Sequence, residues 1–106
     1  MPYAIYILKC SDGTYYTGLT KDLEARLHEH QRGAHPDSYT FRRRPVKLMW
    51  SEVTESYQDA FRWEHRIKGW SRAKKEALIR GDITGIHEIV KSERRQREEV
   101  KRKNSH

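Results

Sequence analysis

The chain has 106 residues, enough to bury one modest core but not two. Twenty-two Lys and Arg against fifteen Asp and Glu leave a formal charge of +7; that excess favours polyanionic partners, nucleic acid first among them, with a solubilising surface as the plainer reading. The lone cysteine, Cys10, forms no internal disulfide, no stretch approaches the roughly 20 apolar residues of a membrane span, and the N-terminus lacks a signal-peptide order, so a cytoplasmic protein without a membrane partner is expected.

Tyr3 to Leu8 is short, aromatic and β-branched, which reads as a strand buried on both faces. Ser11-Asp12-Gly13 turns the chain, and the run from Thr14 to Thr20 completes an antiparallel hairpin with the first strand central. If the loop has three residues with Gly13 left-handed, Leu8 faces Tyr16, Tyr6 faces Gly18, and both tyrosines share a sheet face; a two-residue loop would put them on opposite faces. The three-residue loop is expected, because Gly13 occupies its third position.

Thr20 offers an N-cap to a helix in which Leu23 and Leu27 recur at helical spacing until Gly33. Residues 33 to 45, with Gly33, Pro36, Pro45 and Arg42-Arg43-Arg44, read as a long basic loop. Val46, Leu48 and Trp50 alternate with Lys47, Met49 and Ser51 as a third strand. Ser56 and Asp59 then open a second helix with an apolar stripe of Ala60, Trp63, Ile67 and Trp70. Ser71 caps a third helix that Gly81 ends, and Thr84 can open another short turn. The domain is expected to span residues 1–91, and the polar, basic stretch 92–106 to be frayed helix or disordered.

Few of these residues declare chemistry alone. Glu64 stands beside or within the second helix's apolar stripe, where it is either a rim residue paired with Lys68 at i+4 or a metal ligand at the edge of the core. Arg26 and His30, four apart, share an edge of the first helix. Tyr6 and Tyr16 lie on adjacent strands, and Gly18 leaves a position without a side chain. His28, His30 and His35 lack the companions of a zinc site, and no HExxH, P-loop or nucleophile elbow is present.

Taken in order, Tyr6, nine residues, Tyr16-Thr17-Gly18, Arg26, His30 and a helical Glu64 resemble the GIY-YIG nuclease domain, and the neighbouring stretches are similar to its small stand-alone bacterial members over residues 3 to about 80. The resemblance implies an α+β fold in which a three-stranded antiparallel sheet is flanked by helices in the order β-β-α-β-α-α. It also implies hydrolysis of nucleic-acid phosphodiesters with one Mg or Mn ion. Its catalytic residues fall on Tyr6, Tyr16, Arg26, His30 and Glu64, with Glu64 as metal ligand; Lys9, Arg42, Arg43, Arg44 and Lys68 are the cations expected to meet nucleic acid.

These types suit the reaction. Attack on a phosphodiester needs an activated water and compensation for charge on the phosphoryl oxygens, which an arginine and a metal ion supply. One carboxylate suffices for Mg when phosphate and waters complete the octahedron. A tyrosine is a poor base at neutral pH unless metal, Arg26 or Lys9 stabilises its phenolate, and His30 is the alternative proton carrier. Ala4-Ile5-Tyr6 stands where the family has Gly-Ile-Tyr, and no asparagine follows Glu64 until Asn104. The leading expectation is a monomeric metal-dependent endonuclease, DNA ahead of RNA, acting on branched, nicked or damaged substrates as in DNA repair. The alternative is a binding module that keeps the basic groove without efficient cleavage.

Overall fold

The computed structural model describes residues 2–81. The expectations for the turn at Thr84, the end of the domain at residue 91 and the tail from 92 to 106 lie outside the described residues. The elements run β1 (Tyr3–Lys9), β2 (Tyr15–Thr20), α1 (Leu23–Arg32), β3 (Lys47–Thr54), α2 (Tyr57–Lys68) and α3 (Arg72–Arg80), with a 3-10 turn at Phe41–Arg43. This is the α+β arrangement expected: one antiparallel three-stranded sheet in the order β2-β1-β3.

β1 is central and buried between its ends, Ala4 to Leu8 each being at most 7% exposed. The hairpin has the three-residue loop: the Cys10 amide donates to the Thr14 carbonyl at 2.8 Å, and Gly13 takes a φ of 85°. Left-handed backbone of this kind carries little penalty only in glycine. The resulting register pairs Leu8 with Tyr16 and Tyr6 with Gly18, so both tyrosines lie on one face. On that face Tyr6, Leu8, Cys10 and Val46 form a core against which Leu23 and Leu27 of α1, with Tyr16 and Leu48, pack.

Three local expectations are corrected. The N-cap of α1 is Asp22, whose carboxylate accepts from the Ala25 amide at 3.1 Å; the Thr20 hydroxyl accepts from the Asp22 amide two residues on, fixing the turn before the helix. In β3 the register slips between Ile7 and Leu8, so that Trp50 pairs with Ile7 but Leu48 with Leu8. Adjacent residues of β1 face opposite ways, and the extra residue at Met49 therefore puts Leu48 and Trp50 on opposite faces, where simple alternation had them together. In α2 the buried stripe is Ala60, Glu64 and Ile67, while Trp63 is 47% exposed with the Arg66 guanidinium over its ring.

The helix ends follow their local signals. Gly33 and Gly81 close α1 and α3 in left-handed conformation, and the hydroxyls of Ser56 and Ser71 accept the amides of Asp59 and Lys74. α2 lies against all three strands. The described residues up to Trp70 form one unit, and α3 belongs to a second that begins at Ser71. No helix among the described residues is long and apolar enough to cross a membrane.

Candidate active site

The shared face of β1 and β2 sets the first two groups. Tyr6 is 1% exposed, and its ring leans across Gly18, where a Cβ would overlap the end of the ring and stand only 2.8 Å from Cε1. A side chain at position 18 would occupy the volume of the phenol. Tyr16, half-buried on the same face, has its ring centroid 6.3 Å from that of Tyr6.

α1 supplies the next pair. Because Leu23 and Leu27 face the core, Arg26 and His30 fall on the helix edge that overhangs the tyrosines. The His30 ring centroid is 5.2 Å from Tyr16, and its Nε2 is 3.0 Å from the Tyr6 hydroxyl. Its Nδ1 stands 2.8 Å from Oγ1 of Thr40, a residue only 1% exposed, and that oxygen is 3.1 Å from the Ser38 hydroxyl. Tyr6, His30, Thr40 and Ser38 thus form one hydrogen-bonded chain from the sheet into the basic loop. Tyr39 of the same loop stacks on Tyr16 at 6.1 Å and 21°.

Electrostatics fix the resting state of this chain. Burial pushes the His30 pKa down, and the Arg26 charge adds to the effect, so the ring is neutral at neutral pH. A neutral imidazole donates from one nitrogen and accepts at the other. In the tautomer with the proton on Nδ1, His30 donates to Thr40 and accepts the Tyr6 O–H at Nε2. The Tyr6 pKa is driven well above the usual phenol value, by burial first and then by Tyr16, with Arg26 opposing and Glu29 and Glu64 adding smaller upward effects. A free phenolate is therefore not the resting form, and the Tyr6 hydroxyl has His30 Nε2 as its hydrogen-bond partner.

The remaining expected residues are placed less uniformly. Arg26 is half-exposed, 3.6 Å from a Glu29 carboxylate oxygen, and close enough to bias both Tyr6 and His30. Glu64 is 8% exposed and within electrostatic reach of Tyr6. Its carboxylate meets its own helix: Oε2 is 3.0 Å from His65 Nδ1 and Oε1 3.7 Å from Lys68 Nζ. Lys9 is exposed, and alternation puts it on the sheet face opposite Tyr6 and Tyr16, away from the phenolate it was expected to steady.

The arginine triplet divides. The Arg43 guanidinium donates to Asp12 at 3.0 Å and to the Tyr39 carbonyl at 2.8 Å, and lies 3.9 Å over the Tyr39 ring. Arg44 donates to the Phe41 carbonyl at 2.9 Å and stacks on the Phe41 ring. Arg42 is exposed. Two of the three thus brace the loop that carries Tyr39 and Thr40.

Tyr39, Thr40, Ser38 and Glu29 are members of the site that sequence reasoning missed. They carry no motif; length and basicity marked the loop of Ser38, Tyr39 and Thr40 as functional, but which of its side chains point inward depends on how it folds over α1, and Glu29 lies on α1 itself. Among the described residues, no three of His, Cys, Asp and Glu gather into a closed metal cage. The Glu64 carboxylate, with few protein partners around it, is a donor of the kind that suits a hard cation taking the rest of its shell from phosphate and water.

The model of the GIY-YIG catalytic domain matches residues 2–77. The chain belongs to the GIY-YIG family. A UPF0213 protein of Halobacterium salinarum is 50% identical over 75 residues, which are 71% of this chain and 96% of that protein. A UPF0213 protein of Staphylococcus aureus is 46% identical over 76 residues, 72% of this chain and 92% of the relative. Among solved structures, the UPF0213 protein BH0048 of Bacillus halodurans matches with a TM-score of 0.50 at 40% identity, covering 74% of this chain and 83% of that one. The E. faecalis protein EF2693 matches with a TM-score of 0.56 at 32% identity, covering 76% and 85%. The GIY-YIG match takes in both tyrosines, the α1 pair and Glu64, and places the chain in a family of nuclease type.

Proposed function

We propose that this GIY-YIG domain is a divalent-metal-dependent endonuclease that hydrolyses nucleic-acid phosphodiesters, DNA ahead of RNA, acting as a cytoplasmic monomer on branched, nicked or damaged substrates. The observation that carries the reading is the 3.0 Å bond between the buried Tyr6 hydroxyl and a His30 held neutral by its surroundings. The buried Tyr6 hydroxyl has a neutral imidazole nitrogen within proton-transfer distance, an arrangement that packing of a tyrosine does not require and a proton relay does.

In the reaction, a water beside Tyr6 loses its proton to the phenolic oxygen as the phenol passes its own proton to His30 Nε2. The oxygen so released forms the new bond to phosphorus as the bond from phosphorus to the leaving oxygen of the cut strand breaks. His30 becomes cationic, a state its burial and Arg26 disfavour, so the proton is readily returned to the leaving oxygen or to solvent. Arg26, permanently charged and half-exposed, neutralises the phosphoryl oxygens. With the Nδ1 proton donated to Thr40 Oγ1, His30 is able to accept at Nε2. Glu64 would hold Mg or Mn, and a bound ion would supply Lewis-acid stabilisation of charge on the phosphate.

The test titrates Mg and Mn against plasmid and branched DNA with the unaltered chain and with Glu64→Gln. Cleavage should appear with the unaltered chain and fall by at least about a hundredfold in the variant, while binding in Ca holds because the positive surface is untouched. Undiminished cleavage by Glu64→Gln would remove that residue from the mechanism. The second reading, a binding module, rests on the Glu64 carboxylate already meeting His65 and Lys68; it predicts affinity for DNA and no metal-dependent cleavage by either protein.

A further inference from the structure

Among the described residues, most of the large exposed apolar side chains gather on and beside α2. Tyr57 is 53% exposed, Phe61 45% and Trp63 47%. Tyr57, Phe61 and His65 recur every four residues, so they line one edge of the helix, the edge on which Glu64 borders the buried stripe. Their rings form a ladder: Tyr57 to Phe61 at 6.1 Å, and Phe61 to His65 at 4.1 Å. Tyr3 extends it by one ring, edge-on to Tyr57 at 5.3 Å.

The two ends of this ladder meet residues already named. At one end, Tyr3 and Tyr57 form the aromatic wall of a cavity of about 490 Å³ whose other lining includes Arg26, Lys21 and Glu29. That volume lies within the range of ordinary small-molecule pockets. The Lys21 ammonium sits 5.9 Å from the Tyr3 centroid, so a cation stands over the wall. At the other end, His65 Nδ1 contacts the Glu64 carboxylate. An apolar strip that begins at Lys21 and Arg26, with Asp22 and Glu29 also lining the cavity, suits a ligand that offers flat π-faces to the rings and phosphates to those two cations.

We infer that Tyr3, Tyr57, Phe61 and His65 are a stacking platform for unpaired nucleobases, with the base next to the scissile phosphate lodged in the cavity between Tyr57 and Arg26. The inference rests on the nuclease reading for the position of that phosphate, but stacking itself needs no metal and no turnover. Its consequence is substrate selection. Bases inside a continuous duplex present no free face, so a strand with single-stranded character is preferred over intact duplex. Lys21 and Arg26 hold the backbone while the rings hold the bases.

The experiment measures binding in EDTA, so that failure of the nuclease reading leaves it intact. The probe is a single-stranded DNA oligonucleotide carrying one 2-aminopurine, whose fluorescence is quenched by stacking, alongside the same sequence as a blunt duplex. The unaltered chain should bind the single strand more tightly and quench the probe. Phe61→Ala and Tyr57→Ala should each weaken single-strand binding about tenfold and abolish quenching, with duplex affinity little changed; Phe61→Trp, which keeps a ring, should restore both. Both positions are half-exposed, so their truncation leaves the core intact, and a thermal melt of each variant verifies folding. Equal loss for single strand and duplex, or no loss in either, would overturn the platform. So would unchanged DNA affinity together with a shift in oligomeric state on gel filtration, which would give the strip to a second copy of the chain.

Discussion

Tyr6 faces Gly18 across the β1–β2 ladder, and its ring fills the space that any side chain at position 18 would take. The relationship is set by register alone: the three-residue loop brings the two opposite each other. Gly18→Ala should therefore act on the site through packing. With Tyr6 only 1% exposed, the ring has no free volume to move into. The substitution should cost about 1–3 kcal/mol in urea unfolding, as overpacking does, and lower cleavage more than DNA binding. An unchanged unfolding midpoint would show that the ring has room to yield.

His30 gives stability a defined pH dependence. Its pKa is lowered in the folded protein, by burial first and by Arg26 second. The folded state therefore binds the proton less readily than the unfolded chain, whose imidazole titrates at about 6.5. The contribution of the neutral ring is fully present above that value and is lost as pH falls through the folded pKa. The thermal midpoint of the unaltered chain should drop between about pH 7 and about pH 5 more steeply than that of His30→Gln, which removes the titrating group. Parallel curves would mean that His30 takes up its proton without resistance.

Thr40 is expected to act through His30 and not on substrate. Its Oγ1 is 2.8 Å from Nδ1, and Thr40→Val keeps the shape while removing that oxygen. A buried N–H left without a partner costs about 1–3 kcal/mol, and the ring is released to the tautomer that cannot accept from Tyr6. Cleavage should fall about ten- to a hundredfold with an altered pH profile, and Thr40→Ser should restore both. A uniform loss of activity with the pH profile unchanged would reduce Thr40 to a packing residue.

The arginine loop should separate into bracing and contact. Arg43→Ala removes the bond to Asp12 and the stack on Tyr39, so it should lower the thermal midpoint, and Asp12→Ala should do the same. Arg42→Ala should leave the midpoint alone and reduce the salt slope of DNA binding by about one. If the salt slope responds to Arg43→Ala and not to Arg42→Ala, the assignment is reversed.

Local chemistry made much of the domain readable from sequence. Ser56, Ser71, Gly33 and Gly81 end helices through contacts within a turn of chain, and Gly13 in the loop fixes the hairpin register and hence the common face of Tyr6 and Tyr16. Spacing also put Arg26 beside His30. The tertiary structure decided what depends on distant partners. The bulge at Met49 arises from pairing with β1 and separates Leu48 from Trp50. Glu64, and not Trp63, joins the buried stripe because a helix has about 100° between successive residues and the sheet accepts only one arc of it. Thr40 reaches His30 only because the loop folds back over α1, a path that its own residues do not encode by any period. Sequence thus determined the elements and the face the tyrosines share, through interactions that close within a few residues. Burial and the hydrogen-bonded chain from Tyr6 through His30 to Thr40 were settled by packing, because they require groups far apart in the chain to meet.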